Sequence, residues 1–158
     1  DQLDRMARLR ITPSFFVSHT FFWGDWHRDE TLGRERAMRI SPTRSATERG
    51  IRYTLHNDPP VVPPDMIRTL WSATTRRTRS GQVLGAEQRA SLQEALAGIT
   101  LDAARQYGED SLKGSITPGK QADFVIVDQD PLAMDPEHLL QLRVLETISR
   151  GKTVFLAP

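Results

Sequence analysis

The sequence predicts an α/β fold with parallel strands, followed by a β-rich tail. Three observations carry this. Two short apolar runs, residues 14–19 (SFFVSH) and 51–56 (IRYTLH), are bounded by chain breakers and read as strands. Helical spacing precedes the first run and fills the interval to the second, giving helix, strand, helix, strand, an order that favours a parallel connection. Beyond residue 110 the helical spacing gives way to turn residues and β-branched runs.

With 158 residues the chain is about one domain long, and 38% hydrophobic against 26% charged residues is a composition able to bury a core. A formal net charge of +1 argues against electrostatic selection for nucleic acid or an anionic membrane. No cysteine is present, which excludes disulfides and thiolate metal sites. No apolar run reaches the roughly 20 residues that span a bilayer, and the first residues lack a signal-peptide layout. A soluble, cytoplasmic protein is expected.

In order, residues 1–9 place Leu3, Met6 and Leu9 at helical spacing, and the segment through Pro13 breaks that helix. The strand at 14–19 is expected to end at His19. An aromatic loop, TFFWGDWH, then runs to His27. A helix follows over 34–40. Ser41 is expected to cap the next one, with Pro42 in its first turn and Gly50 ending it. After the strand at 51–56, Pro64-Asp65 caps a helix over 66–74 in which Ile67, Leu70 and Trp71 share a face. Residues 75–81, with Arg76, Arg77 and Arg79, read as a solvated basic loop. A helix is expected between Gly85 and Gly98 with Leu92, Ala95 and Leu96 inward, then another over 101–107 capped by Thr100. Residues 114–120 are turn chemistry, 122–128 a strand, and 135–142 a short helix. Residues 144–149 and 153–156 form a hairpin turning near Arg150-Gly151.

The chemistry gathers at the end of the 51–56 strand. Pro59 and Pro60 remove two backbone donors and force the chain out of the ladder. Asp58 is thereby held at the carboxyl end of a strand, the rim where parallel α/β proteins collect ligands and catalytic groups. The bland alternative is an Asx-type turn ahead of the prolines.

The segment GSITPGKQADFVIVD at 114–128 resembles the post-barrel GxxxxGxxADfvvld segment of the amidohydrolase superfamily. SHTFFWGDWH at 18–27, LGRERAMRISPTRSATERG at 32–50 and HNDPPVVPPD at 56–65 are similar to its branch of N-substituted formamide deformylases. The resemblance implies the C-terminal portion of a (β/α)8 TIM barrel. Strands 7 and 8 and their helices would fall in residues 1–110, and strands of a small β-sandwich in residues 111–158. It also implies a divalent metal, zinc by family habit, with Asp58 in the place of the eighth-strand aspartate, as metal ligand and proton acceptor for a bound water. His19, Trp23, Trp26, His27 and His56 are then expected to line the substrate pocket. Two alternatives stay open: the tryptophans pack beneath their loop, and His56 is an ordinary packed or solvated histidine. His138 is read as a surface residue.

The sequence departs from that pattern at large scale. It contains no His-x-His, bridging lysine or earlier barrel strands, so the remaining metal ligands are absent from this chain. The expectation is a C-terminal fragment of a carbon–nitrogen hydrolase acting on a small amide-type substrate, inactive by itself. Its uncovered strands would be hidden by self-association or by the missing N-terminal half. The alternative is a non-catalytic assembly module built on the old barrel surface. Nucleic-acid binding through Arg76, Arg77 and Arg79 ranks far below both.

Overall fold

The computed structural model describes residues 2–158. Helix α1 (Gln2–Leu9) lays Leu3, Met6 and Ala7 on the core, and Arg49 ties it down through Asp4 at 2.8 Å. Strand β1 (Ser14–Phe15) pairs in parallel with β2 (Thr54–Leu55), Ser14 facing Thr54 and Phe15 facing Leu55. The flanking amides extend the pairing: Thr54 N–H donates to the Pro13 carbonyl and His56 N–H to that of Phe15. Tyr53, Thr54 and Leu55 are all buried, as a strand covered on both faces requires.

Both predicted strands are shorter in the ladder than their apolar runs, and His19 corrects one boundary. The chain leaves β1 through a turn at 16–18, and His19 opens helix α2 (His19–Trp26), which runs on into a π-helical turn at His27–Thr31. The expected aromatic loop is therefore helical. Phe, Trp, Thr and Gly are mediocre helix formers, so tertiary packing decides here. A Cβ on Gly24 would lie 2.9 Å from the Thr78 methyl, so only glycine lets α2 approach residue 78 this closely.

Helix α3 (Gly33–Ala37) and α4 (Thr43–Glu48) complete the crossover to β2. Ser41 does not cap α4; Pro42 precedes the helix, and Ser41 takes a left-handed φ of 44°. Gly50, at φ 67°, ends the helical segment as expected. Helix α5 (Met66–Thr75) starts on Asp65, whose side chain accepts from Arg68 N–H. Helix α6 (Leu92–Ile99) starts later than the sequence suggested, on a Ser91–Glu94 capping box, after a single 3-10 turn at Ala86–Gln88. Thr100 does precede α7 (Leu101–Gln106), but its hydroxyl donates back to the Leu96 carbonyl.

The basic stretch is not a solvated loop. Arg76 is 1% exposed and donates to the carbonyls of Leu84, Ile40 and Ser41. Arg77 pairs with Glu137 at 2.9 Å, and the Arg79 guanidinium lies 5.2 Å from the Phe22 ring centre. The neighbouring Gly85 (φ 68°) admits no side chain, because a Cβ would fall 1.9 Å from the Met38 carbonyl oxygen.

The tail forms a three-stranded antiparallel sheet with β4 (Val144–Ser149) between β3 (Phe124–Val127) and β5 (Lys152–Leu156). The hairpin turns on Arg150 and Gly151, both at positive φ. A 3-10 segment at Pro136–Gln141 buries Leu139 in the main core beside Leu70 and Trp71, joining the tail to the α/β part.

Candidate functional site

Because β1 and β2 run in parallel, their carboxyl ends open on one edge. From β1 the chain passes through Phe16 to His19; from β2 it passes through His56 to Asp58. His56 is held by Ser14, with Nδ1 2.7 Å from the hydroxyl, and its ring stacks on Phe16 at 5.4 Å. His19 stacks on the same Phe16 ring at 5.7 Å and meets the edge of His27 at 5.2 Å. Two of the predicted site residues, His19 and His56, thus flank one phenylalanine, and a third, His27, adjoins His19.

Trp23 and Trp26 lie on α2, with Trp26 55% exposed, so they do not pack beneath a loop. Trp23 contacts Phe16 at 6.2 Å and Trp26 contacts His27 at 5.9 Å, which extends the aromatic surface outward from the histidines. Asp58 sits in the turn beyond β2, exposed, at φ 54°, with its carbonyl accepting from Val61 N–H; the Pro59–Pro60 peptide is cis. Among the described residues no three His, Asp or Glu side chains converge on a common point. His138 is exposed, as read from the sequence.

Residues the sequence did not single out build the support. Buried Asn57 accepts from the Thr69 hydroxyl at 2.7 Å and the Ser18 hydroxyl at 3.4 Å, pinning the Asp58 turn to α5 and to the end of β1. Ser41 Oγ lies 3.1 Å from His19 Nε2. Nothing in local sequence flags these residues, because their partners are 12 to 39 positions away.

Burial pushes the His19 imidazole down to about 4, helped by the nearby charges of His27, Arg76 and His56. Above pH 6.5 His19 is neutral folded or unfolded. Between 6.5 and 4 the unfolded chain takes up a proton that the folded state refuses, so stability falls as pH drops through this window. Allowing for the partial exposure of the ring, the loss by pH 5 is roughly 2 kcal/mol at most. Denaturant midpoints at pH 7 and pH 5 measure it, and His19→Gln is expected to flatten that part of the profile.

A separate cleft lies elsewhere. About 1290 Å³ opens between α5–α7 and the three-stranded sheet, lined by Ile67, Leu70, Leu96, Ala103, Phe124 and Val144 among others. None of His19, Trp23, Trp26, His27, His56 or Asp58 borders it. Its walls are largely apolar, with Asp65, Lys113, Gln121 and Asp123 among the polar residues, and it lies at the joint between the two parts of the chain.

Residues 1–155 match the amidohydrolase family profile. The N-substituted formamide deformylase of Arthrobacter pascens is 30% identical over 150 residues, covering 95% of this chain and 28% of that protein. An uncharacterized metal-dependent hydrolase from Pyrococcus horikoshii superposes with a TM-score of 0.73 at 26% identity, over 87% of this chain and 28% of its own. An adenosine deaminase from Xanthomonas campestris, solved with bound zinc, shares the fold at a TM-score of 0.67 and 19% identity, over 97% and 34% of the two chains. The chain spans about 28% of the length of the deformylase it matches. No helix among the described residues is long and apolar enough to cross a membrane. Matched along nearly its whole length, this chain belongs to the amidohydrolase family.

Proposed function

We propose that the chain is the C-terminal part of a metal-dependent hydrolase of non-peptide carbon–nitrogen bonds, with amides and N-substituted formamides as its substrate class. Residues 1–110 would carry the last two strands of a (β/α)8 barrel and residues 111–158 strands of a composite β-sandwich. The parallel β1–β2 pair, bridged by the helical crossover α2–α4, supports the first assignment, and the antiparallel β3–β4–β5 sheet supports the second. The observation that carries the functional reading is the shared carboxyl edge of β1 and β2, from which the chain leads to His19 on one side and to His56 and Asp58 on the other.

Asp58 offers an exposed carboxylate of the donor type that divalent metals accept, and the chain's own residues supply this one ligand, the others coming from outside residues 1–158. A bound divalent ion such as zinc lowers the pKa of its water to about 7, which makes hydroxide available at neutral pH. In this reading the Asp58 carboxylate takes the proton from the attacking water. The Ser14 contact fixes the His56 ring two positions before Asp58, and the Asn57 anchor holds the turn in place. Trp23 and Trp26 give the rim an apolar wall that orients a small amide and reduces competing water.

The same chain leaves apolar surface open: Val125, Val154, Phe155 and Leu156 are exposed on the sheet, and Val125 borders the cleft. That surface favours the second reading, a non-catalytic assembly module, and in either reading a second copy or the N-terminal half would cover it. Metal analysis of the protein at its natural length, with N-alkyl formamides as substrates, separates the two. Expected are one or two bound divalent ions and hydrolysis that chelation abolishes. A stable, self-associated protein with neither metal nor activity would sink the hydrolase reading and leave the module.

A further inference from the structure

Ser41 holds a backbone conformation, φ 44°, that residues other than glycine, asparagine and aspartate rarely adopt. Its carbonyl accepts from Arg76 Nη1 at 3.1 Å, and that buried guanidinium also holds the neighbouring Ile40 carbonyl at 2.7 Å. The strained residue is thus clamped from below by a cation that is itself fixed in the core. Its side chain points the other way, to the rim: Ser41 Oγ lies 3.1 Å from His19 Nε2 and 3.5 Å from the Phe16 carbonyl oxygen.

The two hydroxyl contacts constrain the imidazole. Ser41 Oγ donates to the Phe16 carbonyl at 3.5 Å, alongside the His19 N–H that the same carbonyl accepts at 3.4 Å. With its proton used there, Oγ accepts from His19 at 3.1 Å and places the ring proton on Nε2, whereas a hydroxyl turned to the ring would place it on Nδ1. Among the described residues no protein donor or acceptor is hydrogen-bonded to Nδ1 of the same ring. We propose that Ser41 is a positioning residue that holds His19 as the Nε2–H tautomer and keeps the Nδ1 lone pair as the acceptor for an amide N–H of the substrate. The inference rests on the rim being the substrate side of a carbon–nitrogen hydrolase, and it narrows the substrate class to amides that carry an N–H.

The surroundings favour the neutral ring. The charged and titratable groups that act on it are His27, Arg76 and His56, all of which oppose a second proton, and burial works in the same direction. No carboxylate among the described residues is hydrogen-bonded or ion-paired to the ring to offset them. A neutral imidazole with one nitrogen committed to Ser41 has one acceptor left, and a substrate N–H is the group that matches it.

Ring-¹⁵N histidine spectra of the protein at its natural length test this, with His19→Gln assigning the resonance. In the parent protein one histidine is expected to show the Nε2–H tautomer and to stay neutral until the pH nears 4. Two substitutions separate the hydroxyl from the backbone. Ser41→Ala removes the hydroxyl and keeps the strained conformation; Ser41→Gly removes it and relieves the strain. Both are expected to give a mixed tautomer and a KM for a secondary amide about tenfold higher with kcat little changed. An Nδ1–H tautomer in the parent protein overturns the proposal. So does a Ser41→Gly variant with the parental spectrum and KM, which would mean that residue 41 serves the backbone alone. If no amide is hydrolysed, the hydrolase reading fails, while the tautomer and its response to the two variants still decide the role of Ser41.

Discussion

Arg76→Met is expected to destabilise the protein by about 3 kcal/mol, a fall of roughly 10 °C in Tm for a domain of this size. The guanidinium is 1% exposed and donates at 2.7 Å to Leu84, 2.7 Å to Ile40 and 3.1 Å to Ser41. Methionine fills much of the same volume, so cavity formation contributes little. What remains is two carbonyls from separate segments, Ile40 and Leu84, with no donor, each worth about 1–3 kcal/mol if left unpaired, while the Ser41 carbonyl keeps the Thr43 N–H at 2.8 Å. Some of that is offset because the variant no longer buries a charge whose partners are all neutral. Burial already holds the guanidinium down at about 10, still fully charged at pH 7. Chemical denaturation of parent and variant measures the difference. A loss under about 1 kcal/mol would mean that water reaches these carbonyls and that Arg76 does not organise residues 40–41.

Asp58→Asn is expected to do the reverse, leaving stability within about 0.5 kcal/mol and removing activity. Asp58 is exposed at φ 54°, and asparagine tolerates this conformation as well as aspartate does. The Val61 N–H bond that closes the turn goes to the backbone carbonyl, which the substitution does not touch. Only the negative charge and its basicity are lost. If the carboxylate takes a proton from the attacking water, kcat in the protein at natural length falls by about 10²–10⁴-fold, accompanied by weaker metal retention. Equal activity in parent and variant would remove Asp58 from the proposed site and make it a plain turn residue.

The contrast between these residues shows where local signals stop. Arg76, Arg77 and Arg79 stand within four positions and are chemically alike, yet only Arg76 is buried. The separating fact is the left-handed turn at the end of α5, where Arg76 itself takes φ 56° and its side chain meets carbonyls from residues 40, 41 and 84. Likewise the run 19–26 is apolar nearly all round and carries no helical stripe, so its periodicity does not reveal a helix. Its form is decided by contact with Thr78 and Trp71.

By itself the sequence determined the features whose physics is local. These include Asp65 opening α5, the Gly50 stop, the Arg150-Gly151 hairpin turn, and the order of helices and strands that makes the fold α/β. It also carried the family, because that depends on motifs strung along the chain. Tertiary structure alone decided how His19 meets Ser41, how Asn57 anchors the Asp58 turn, and which arginine is buried. Each of these couples groups 12 to 36 positions apart, and no spacing rule within one segment encodes a partner brought near only by packing.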